Sequence, residues 1–194
     1  MRLKGTKRLP PMTNAFFCDT DHYYCVRIAE RTLRHAEHLC EEAGIKETGG
    51  IIIGHYEDEH SAFVNELSNP PSDSIRRKAD FFRGAKNLRK LLEKAHRRGD
   101  YYIGEWHFHP NSSPCPSSAD KKQMHAFART TEIKCSEPIL IIFGGNKNHW
   151  TIDVMVFTAN HEYHLFCQSV RRSAPIRNGK AGTQPLTGTI SPGS

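Results

Sequence analysis

Hydrophobic side chains recur at three- and four-residue steps in two stretches, and this spacing predicts two amphipathic helices. The first covers 29–43 and is followed by Gly44, a plausible C-terminal stop. The second covers 85–98 and ends at Gly99. A third helix is predicted to begin near Ser117, after a loop rich in serine and proline.

The remaining hydrophobic stretches are short and rich in β-branched residues, which predicts strands. Ile51-Ile52-Ile53 lies between glycines, and an unbroken run of this kind is typical of a buried strand. Further strands are predicted at 23–28, 61–67, 101–109, 138–143, 150–157 and 161–167. Strands and helices mixed in this order predict an α/β domain layered around one sheet.

The 194 residues suit one domain with extensions, and the net charge of +6 is concentrated in those extensions. We therefore divide the chain into a basic N-terminal arm (1–18), a folded domain (19–168) and a flexible, basic tail rich in Gly, Pro and Ser (169–194). The basic ends could bind nucleic acid or an acidic partner, or they could simply be solvated.

The six cysteines follow an irregular spacing without a Cys-x-x-Cys pair, which predicts no disulfide framework. The N-terminus lacks an apolar run long enough for a signal peptide, and no segment approaches the ~20 apolar residues that cross a bilayer. We therefore expect a cytoplasmic protein that does not contact a membrane.

His107 and His109 are the strongest candidates for chemistry, because residues two apart in a strand face the same side. A catalytic zinc usually takes three protein ligands and keeps one position for water. Asp120 can supply the third ligand from the first turn of the helix after the loop. One Zn²⁺ is the expected cofactor, although two histidines on the wet face of a strand would satisfy the same pattern.

Hydrolysis also needs a carboxylate close to the metal but not bound to it, and Glu47 fits because it immediately precedes the buried strand. Ser117 could donate its hydroxyl to a developing oxyanion, but Ser117-x-x-Asp120 is also close to a helix capping box. Glu105 shares strand parity with the histidines, so it is either a partner of the ligands or a surface carboxylate. Cys115, between the ligands, is a loop thiol or an inhibitory fourth ligand.

Taken together, Glu47, His107-x-His109-Pro110 and Ser117-x-x-Asp120 form a pattern that resembles the JAMM motif of the JAB/MPN metalloproteases at every position. The resemblance covers roughly 23–167. It implies a single JAB/MPN domain with a curved mixed β-sheet flanked by helices, in a cytidine-deaminase-like layering. It also implies His107, His109 and Asp120 as zinc ligands, Glu47 as general acid/base and Ser117 as oxyanion donor.

The resemblance further implies an isopeptidase that acts at the C-terminus of a ubiquitin-like conjugated protein. The chain is most similar to the JAB deconjugases of bacterial anti-phage (CBASS) operons. Its expected substrate is then a ubiquitin-like conjugate or the C-terminus of a CD-NTase-type protein, with a ThiF-like activating enzyme in the same pathway. The alternatives are a JAB peptidase that matures a small sulfur carrier, a non-catalytic MPN scaffold, and a basic nucleic-acid-binding protein; nucleic acid is not the expected partner.

Overall fold

A computed structural model describes residues 14–147 and 149–168 of the chain, and within these ranges it contains ten strands and three helices. The strands are β1 (Ala15–Cys18), β2 (Cys25–Ile28), β3 (Thr48–Tyr56), β4 (Ser61–Leu67), β5 (Ile75–Arg76), β6 (Phe81–Phe82), β7 (Tyr101–Pro110), β8 (Ile139–Asn146), β9 (His149–Phe157) and β10 (Glu162–Cys167). The helices are α1 (Glu30–Ala43), α2 (Leu88–His96) and α3 (Ser118–Arg129). The predicted α/β composition is confirmed.

The large sheet is a closed barrel and not the curved sheet that the family resemblance implied. Its strands follow the order β1-β10-β9-β8-β7-β3-β4-β2, and β2 closes back onto β1. The sheet is mixed, as predicted: β2 pairs with β4 and β7 with β8 in parallel, and the other barrel pairs are antiparallel. Closure removes the unpaired edges that an open sheet would expose.

Residues alternate along the central strands between two cores, which explains why the isoleucine run of β3 is hydrophobic throughout. Ile52 points into the barrel core, which α1 also joins through Ala36 and Leu39. Ile51 and Ile53 lie on the opposite face, under Ala95 of α2. A third cluster, formed with Met124 of α3, covers the same outer side of β8 and β9. The middle of the sheet is therefore buried on both faces.

The N-terminal boundary differs from the predicted arm, because residues 15–18 form β1 and pair with both β2 and β10. Cys18 and Cys25 are directly opposite across the β1–β2 hairpin and form a disulfide, against the sequence prediction. Residues 1–13 of the arm and the tail from 169 lie outside the described residues.

The helices of the described ranges are short, and α1 is the longest at 14 residues. Not one of them is both long and apolar enough to cross a bilayer.

Candidate active site

Strand β7 carries both histidines on the outer face of the barrel, at the end where β3 begins. Trp106 and Phe108 alternate with them and are buried in the barrel core. A bulge next to Gly104 shifts the register of β7 against β3 before this point, so the alternation is regular from Glu105 onward. His107 lies opposite Gly49 of β3.

Helix α3 brings the carboxylate of Asp120 to the same place. Ser117 is the N-cap: its hydroxyl accepts a hydrogen bond from the Asp120 amide at 3.1 Å, and Asp120 Oδ2 accepts from the Ser117 amide at 2.8 Å. This is a capping box with aspartate in the position usually held by glutamate. The Ser117 hydroxyl donates to Asp120 Oδ2 at 2.7 Å. Asp120 is thus held by the helix start, while the predicted oxyanion role of Ser117 stays a prediction.

The three predicted ligands converge. The side-chain donor atoms of His107, His109 and Asp120 all lie within 4.8 Å of one another, and His107 Nδ1 is 3.1 Å from Asp120 Oδ1. Two imidazole nitrogens and one carboxylate oxygen, all half-buried, are a donor set that suits Zn²⁺ and leaves a coordination position for water. The residues present therefore fit a catalytic metal.

A second group of potential ligands in the described residues is Cys18, His22 and Cys25 at the β1–β2 turn. It does not match the first as a metal site, because its two sulfur atoms are bonded to each other as a disulfide. Cys115 is exposed in the loop before α3 and is not part of either group.

The ionisation of the ligands is already biased towards metal binding. Burial alone would raise the pKa of Asp120, but the hydrogen bonds from His107 and Ser117 outweigh it and hold that pKa well below its usual range. Burial also lowers the pKa of His109 and so favours its neutral imidazole. A carboxylate and a neutral imidazole are the forms that bind a metal.

Glu47 lies on the same face, one residue before β3. Thr48 pairs with Phe108, so the next pair in the same register is Glu47 and His109. The charge of Glu47 interacts with those of His107 and Asp120. Burial raises the pKa of Glu47; His107 opposes this shift, and the negative charge of Asp120 reinforces it. A raised carboxyl pKa is what a group that both accepts and donates a proton requires.

Gly49 lies two residues after Glu47, and because it has no side chain it leaves room for the rings of Phe81 and His107. A Cβ at this position would stand 2.3 Å from the Trp106 carbonyl oxygen, 2.8 Å from the Phe81 ring and 3.0 Å from His107 Cδ2. The ring of Phe81, in β6, meets the imidazole of His107 edge-on at 5.7 Å between centroids. The glycine is therefore required by the close approach of β7 and Phe81.

Gly49→Ala is expected to destabilise the fold by about 2 kcal/mol, the usual scale of overpacking, and to reduce metal affinity by displacing His107. Urea denaturation and zinc titration measure the two effects. Gly99→Ala is the matched control: Gly99 has a φ of +81°, but a methyl group added there would meet no atom within 4 Å. Only backbone strain of about 1 kcal/mol is therefore expected in that control. Equal stability and zinc affinity in Gly49→Ala and wild type would contradict this role of Gly49.

Glu105 lies on the same face but does not hydrogen-bond to His107. It is 1% exposed, accepts a hydrogen bond from Arg83 Nε at 2.7 Å and another from the Tyr102 hydroxyl at 3.0 Å. Burial raises the pKa of Glu105, and the charge of Arg83 opposes that shift. The surface alternative for Glu105 is wrong. Sequence reasoning missed Arg83 and Phe81. The one available signal was the parity of Glu105, since a carboxylate buried on the face of the histidines would need a cation as its partner.

Fold and site together define an α/β barrel protein with a candidate metal-binding trio and a neighbouring acid/base carboxylate. The family profile described as "Prokaryotic homologs of the JAB domain" matches residues 29–153, well over half of the chain. The chain belongs to this family, and the family resemblance inferred from the motif is confirmed.

Similar proteins agree with this assignment. A protein of Enterobacter hormaechei subsp. hoffmannii named "CD-NTase/cGAS isopeptidase" is 42% identical over 124 residues, which is 63% of this chain and 69% of that protein. A protein of Sinorhizobium fredii named "Probable metalloprotease y4qB" is 30% identical over 54% of this chain and 66% of its own length. The solution structure of a protein from Desulfitobacterium hafniense is 14% identical with a TM-score of 0.50, covers 71% of this chain and 87% of that one, and supports the fold alone.

Proposed function

We propose that this protein is a zinc metallopeptidase that hydrolyses the isopeptide or peptide bond at the C-terminus of a CD-NTase-type protein. The observation that carries the proposal is the convergence of His107, His109 and Asp120 on the face that also carries Glu47. The substrate class is supported by the names of three relatives, "CD-NTase/cGAS isopeptidase", from Enterobacter hormaechei, Vibrio cholerae and Escherichia coli.

His107, His109 and Asp120 would hold the zinc ion. When bound, zinc lowers the pKa of a water molecule towards neutrality and polarises the scissile carbonyl. Glu47 takes the proton of the attacking water on its carboxylate and delivers it to the leaving nitrogen, and its partial burial keeps it basic enough for the first transfer. Ser117 holds Asp120 through the capping box; a role as oxyanion donor would require its hydroxyl to leave Asp120 Oδ2.

The catalytic domain is proposed to comprise residues 19–168 together with β1, because β1 is hydrogen-bonded into the barrel. The proposed pathway is the reversal of a ubiquitin-like conjugation in anti-phage defence, with a ThiF-like enzyme making the bond that this protein cleaves.

Two fusion proteins test the substrate class. One carries a CD-NTase joined through its C-terminus to green fluorescent protein, and the other carries a small sulfur-carrier protein in the same arrangement. We expect the zinc-loaded protein to cleave the CD-NTase fusion at the junction, as read by intact mass, and to leave the sulfur-carrier fusion whole. Cleavage of the sulfur-carrier fusion alone, or of neither fusion by zinc-loaded protein, would refute the proposed substrate.

A further inference from the structure

The hairpin formed by β5 and β6 contacts both strands that carry the candidate site. The Arg77 carbonyl oxygen, in its turn, accepts a hydrogen bond from the Glu47 amide at 2.7 Å. The ring of Phe81, in β6, rests against His107. The position of this short hairpin therefore influences both the backbone at Glu47 and the orientation of the His107 imidazole.

Two further sets of contacts hold this hairpin: hydrogen bonds across its base, and an ion pair with the barrel. At its base, Asp73 accepts hydrogen bonds from the amides of Ala85 and Lys86, and the Ser74 hydroxyl accepts one from the Gly84 amide. These contacts join the two ends of the segment to each other. They do not join it to the barrel.

An ion pair between Arg83 and Glu105 links the segment to the barrel. Arg83 directly follows β6 in the chain, and its side chain is 20% exposed; Glu105 is 1% exposed and sits on β7, two residues before His107. The carboxylate uses one oxygen for Arg83 and the other for the Tyr102 hydroxyl. Because both oxygens have partners, the geometry of the pair is well defined.

A buried ion pair gives little net stability, since desolvation of the two charges offsets their attraction. The role of this ion pair beside the candidate site is better explained by the segment that it positions. Glu105 does not hydrogen-bond to His107, so it does not orient that imidazole directly in the way that carboxylates often orient metal-binding histidines. The path from Glu105 to the site runs through Arg83 and the hairpin.

We propose that Arg83 and Glu105 are positioning residues, and that their ion pair fixes the β5–β6 hairpin so that Phe81 stays against His107 and Arg77 stays hydrogen-bonded to Glu47. The proposal rests on the proposed peptidase function for its kinetic consequences. Its structural consequence, the protection of the Glu47 amide, does not depend on any activity.

Amide hydrogen exchange measured by NMR tests the structural consequence. In Arg83→Ala, the Glu47 amide is expected to exchange at least about tenfold faster, because its acceptor on Arg77 is no longer held in place. The Ile52 amide in the barrel reports any loss of global stability caused by the unpaired Glu105, and the tenfold increase is counted beyond the change at Ile52. Arg83→Lys keeps the charge and is expected to restore part of the protection. Arg89→Ala is the matched control, because Arg89 forms an exposed ion pair with Glu93 on α2.

Kinetics on the CD-NTase fusion test the catalytic consequence. Arg83→Ala and Glu105→Gln are expected to lower kcat by about ten- to a hundredfold, the scale of a small misplacement, with little change in KM. Because part of the effect of the ion pair runs through Phe81 and part through Arg77, adding Arg83→Ala to Phe81→Ala should lower kcat by less than the product of the two single losses. The double variant Arg83→Met with Glu105→Leu removes the unpaired buried charge, so it should fold stably and still show the low kcat.

Unchanged exchange of the Glu47 amide in Arg83→Ala would overturn the proposal. So would losses in kcat that multiply when Arg83→Ala and Phe81→Ala are combined, or a wild-type kcat in the Arg83→Met and Glu105→Leu double variant. The wild type could cleave neither fusion while the Glu47 amide loses protection in Arg83→Ala and keeps it in Arg89→Ala. In that case the proposed function fails and the positioning role stands.

Discussion

Glu47→Ala is expected to abolish hydrolysis of the CD-NTase fusion while leaving zinc content and thermal stability close to wild type. General acid/base groups contribute roughly 10² to 10⁴ in rate, and here one carboxylate is assigned both proton transfers. Its pKa is raised by burial, as that role requires. The side chain is not among the three candidate metal ligands, so its removal should not release the metal. Turnover on the fusion and zinc per chain by mass spectrometry measure the two effects.

Glu59→Ala is the matched control, because Glu59 is an exposed glutamate in the turn between β3 and β4. It should retain full activity. Glu47→Gln keeps the shape of the side chain but cannot accept the proton, so it should be as inactive as Glu47→Ala. Activity above about a tenth of wild type in Glu47→Gln would remove Glu47 from the proposed mechanism.

Asp120→Ala and His109→Ala are each expected to lose stoichiometric zinc and, with it, all detectable hydrolysis. Each removes one of three candidate donors, and a site left with two protein ligands is expected to lose its zinc during dialysis against zinc-free buffer, which the wild-type site should survive. For wild type, we expect the chelator to abolish activity and added zinc to restore it. Zinc per chain after dialysis is the direct measurement.

The Asp120 variants need a structural control, because Asp120 also belongs to the capping box of α3. Ser117→Ala removes the capping hydroxyl and should cost about 1 kcal/mol of stability while most zinc is retained. His38→Ala, on the exposed surface of α1, should change neither zinc nor activity. One zinc per chain in both Asp120→Ala and His109→Ala would mean that the metal binds elsewhere.

Strand parity explains why the arrangement of the candidate ligands follows from the sequence. Trp106 and Phe108 are large and apolar, so they face the core, and the alternation of a strand then turns His107 and His109 outward. The bulge next to Gly104 lies before this segment and does not disturb it. The isoleucine run of β3 is equally informative, because only a strand covered on both faces tolerates it.

Barrel closure could not be predicted in the same way. It depends on pairing between segments far apart in the chain, β1 with β10 and β2 with β4. The spacing of hydrophobic residues within one segment contains no information about which distant strand it pairs with. Strand β1 is only four residues long and precedes a short turn, so its pattern does not distinguish it from the basic arm. The Cys18–Cys25 disulfide follows from the same hairpin register.

The β5–β6 hairpin shows a further limit of sequence patterns. Its strands have two residues each, which is too few to show the alternation of hydrophobic and polar residues that predicts a strand. They are held by contacts with residues outside the segment. Arg83 and Glu105 are 22 residues apart, and only the fold reveals that they form an ion pair. The catalytic roles of Glu47 and Ser117 and the metal-binding roles of His107, His109 and Asp120 stay predictions until the variants are measured.

The most direct test of the central claim treats lysate of the source cell with wild type, with Glu47→Ala, and with wild type plus a chelator. Mass spectrometry then reads newly freed protein C-termini and lost high-mass conjugates. We predict that specific C-termini, including that of a CD-NTase-type protein, appear with wild type alone. Two results would contradict the proposed metallopeptidase. One is the appearance of the same C-termini in the Glu47→Ala sample or the chelated sample. The other is a wild-type protein that binds no zinc and frees no C-termini.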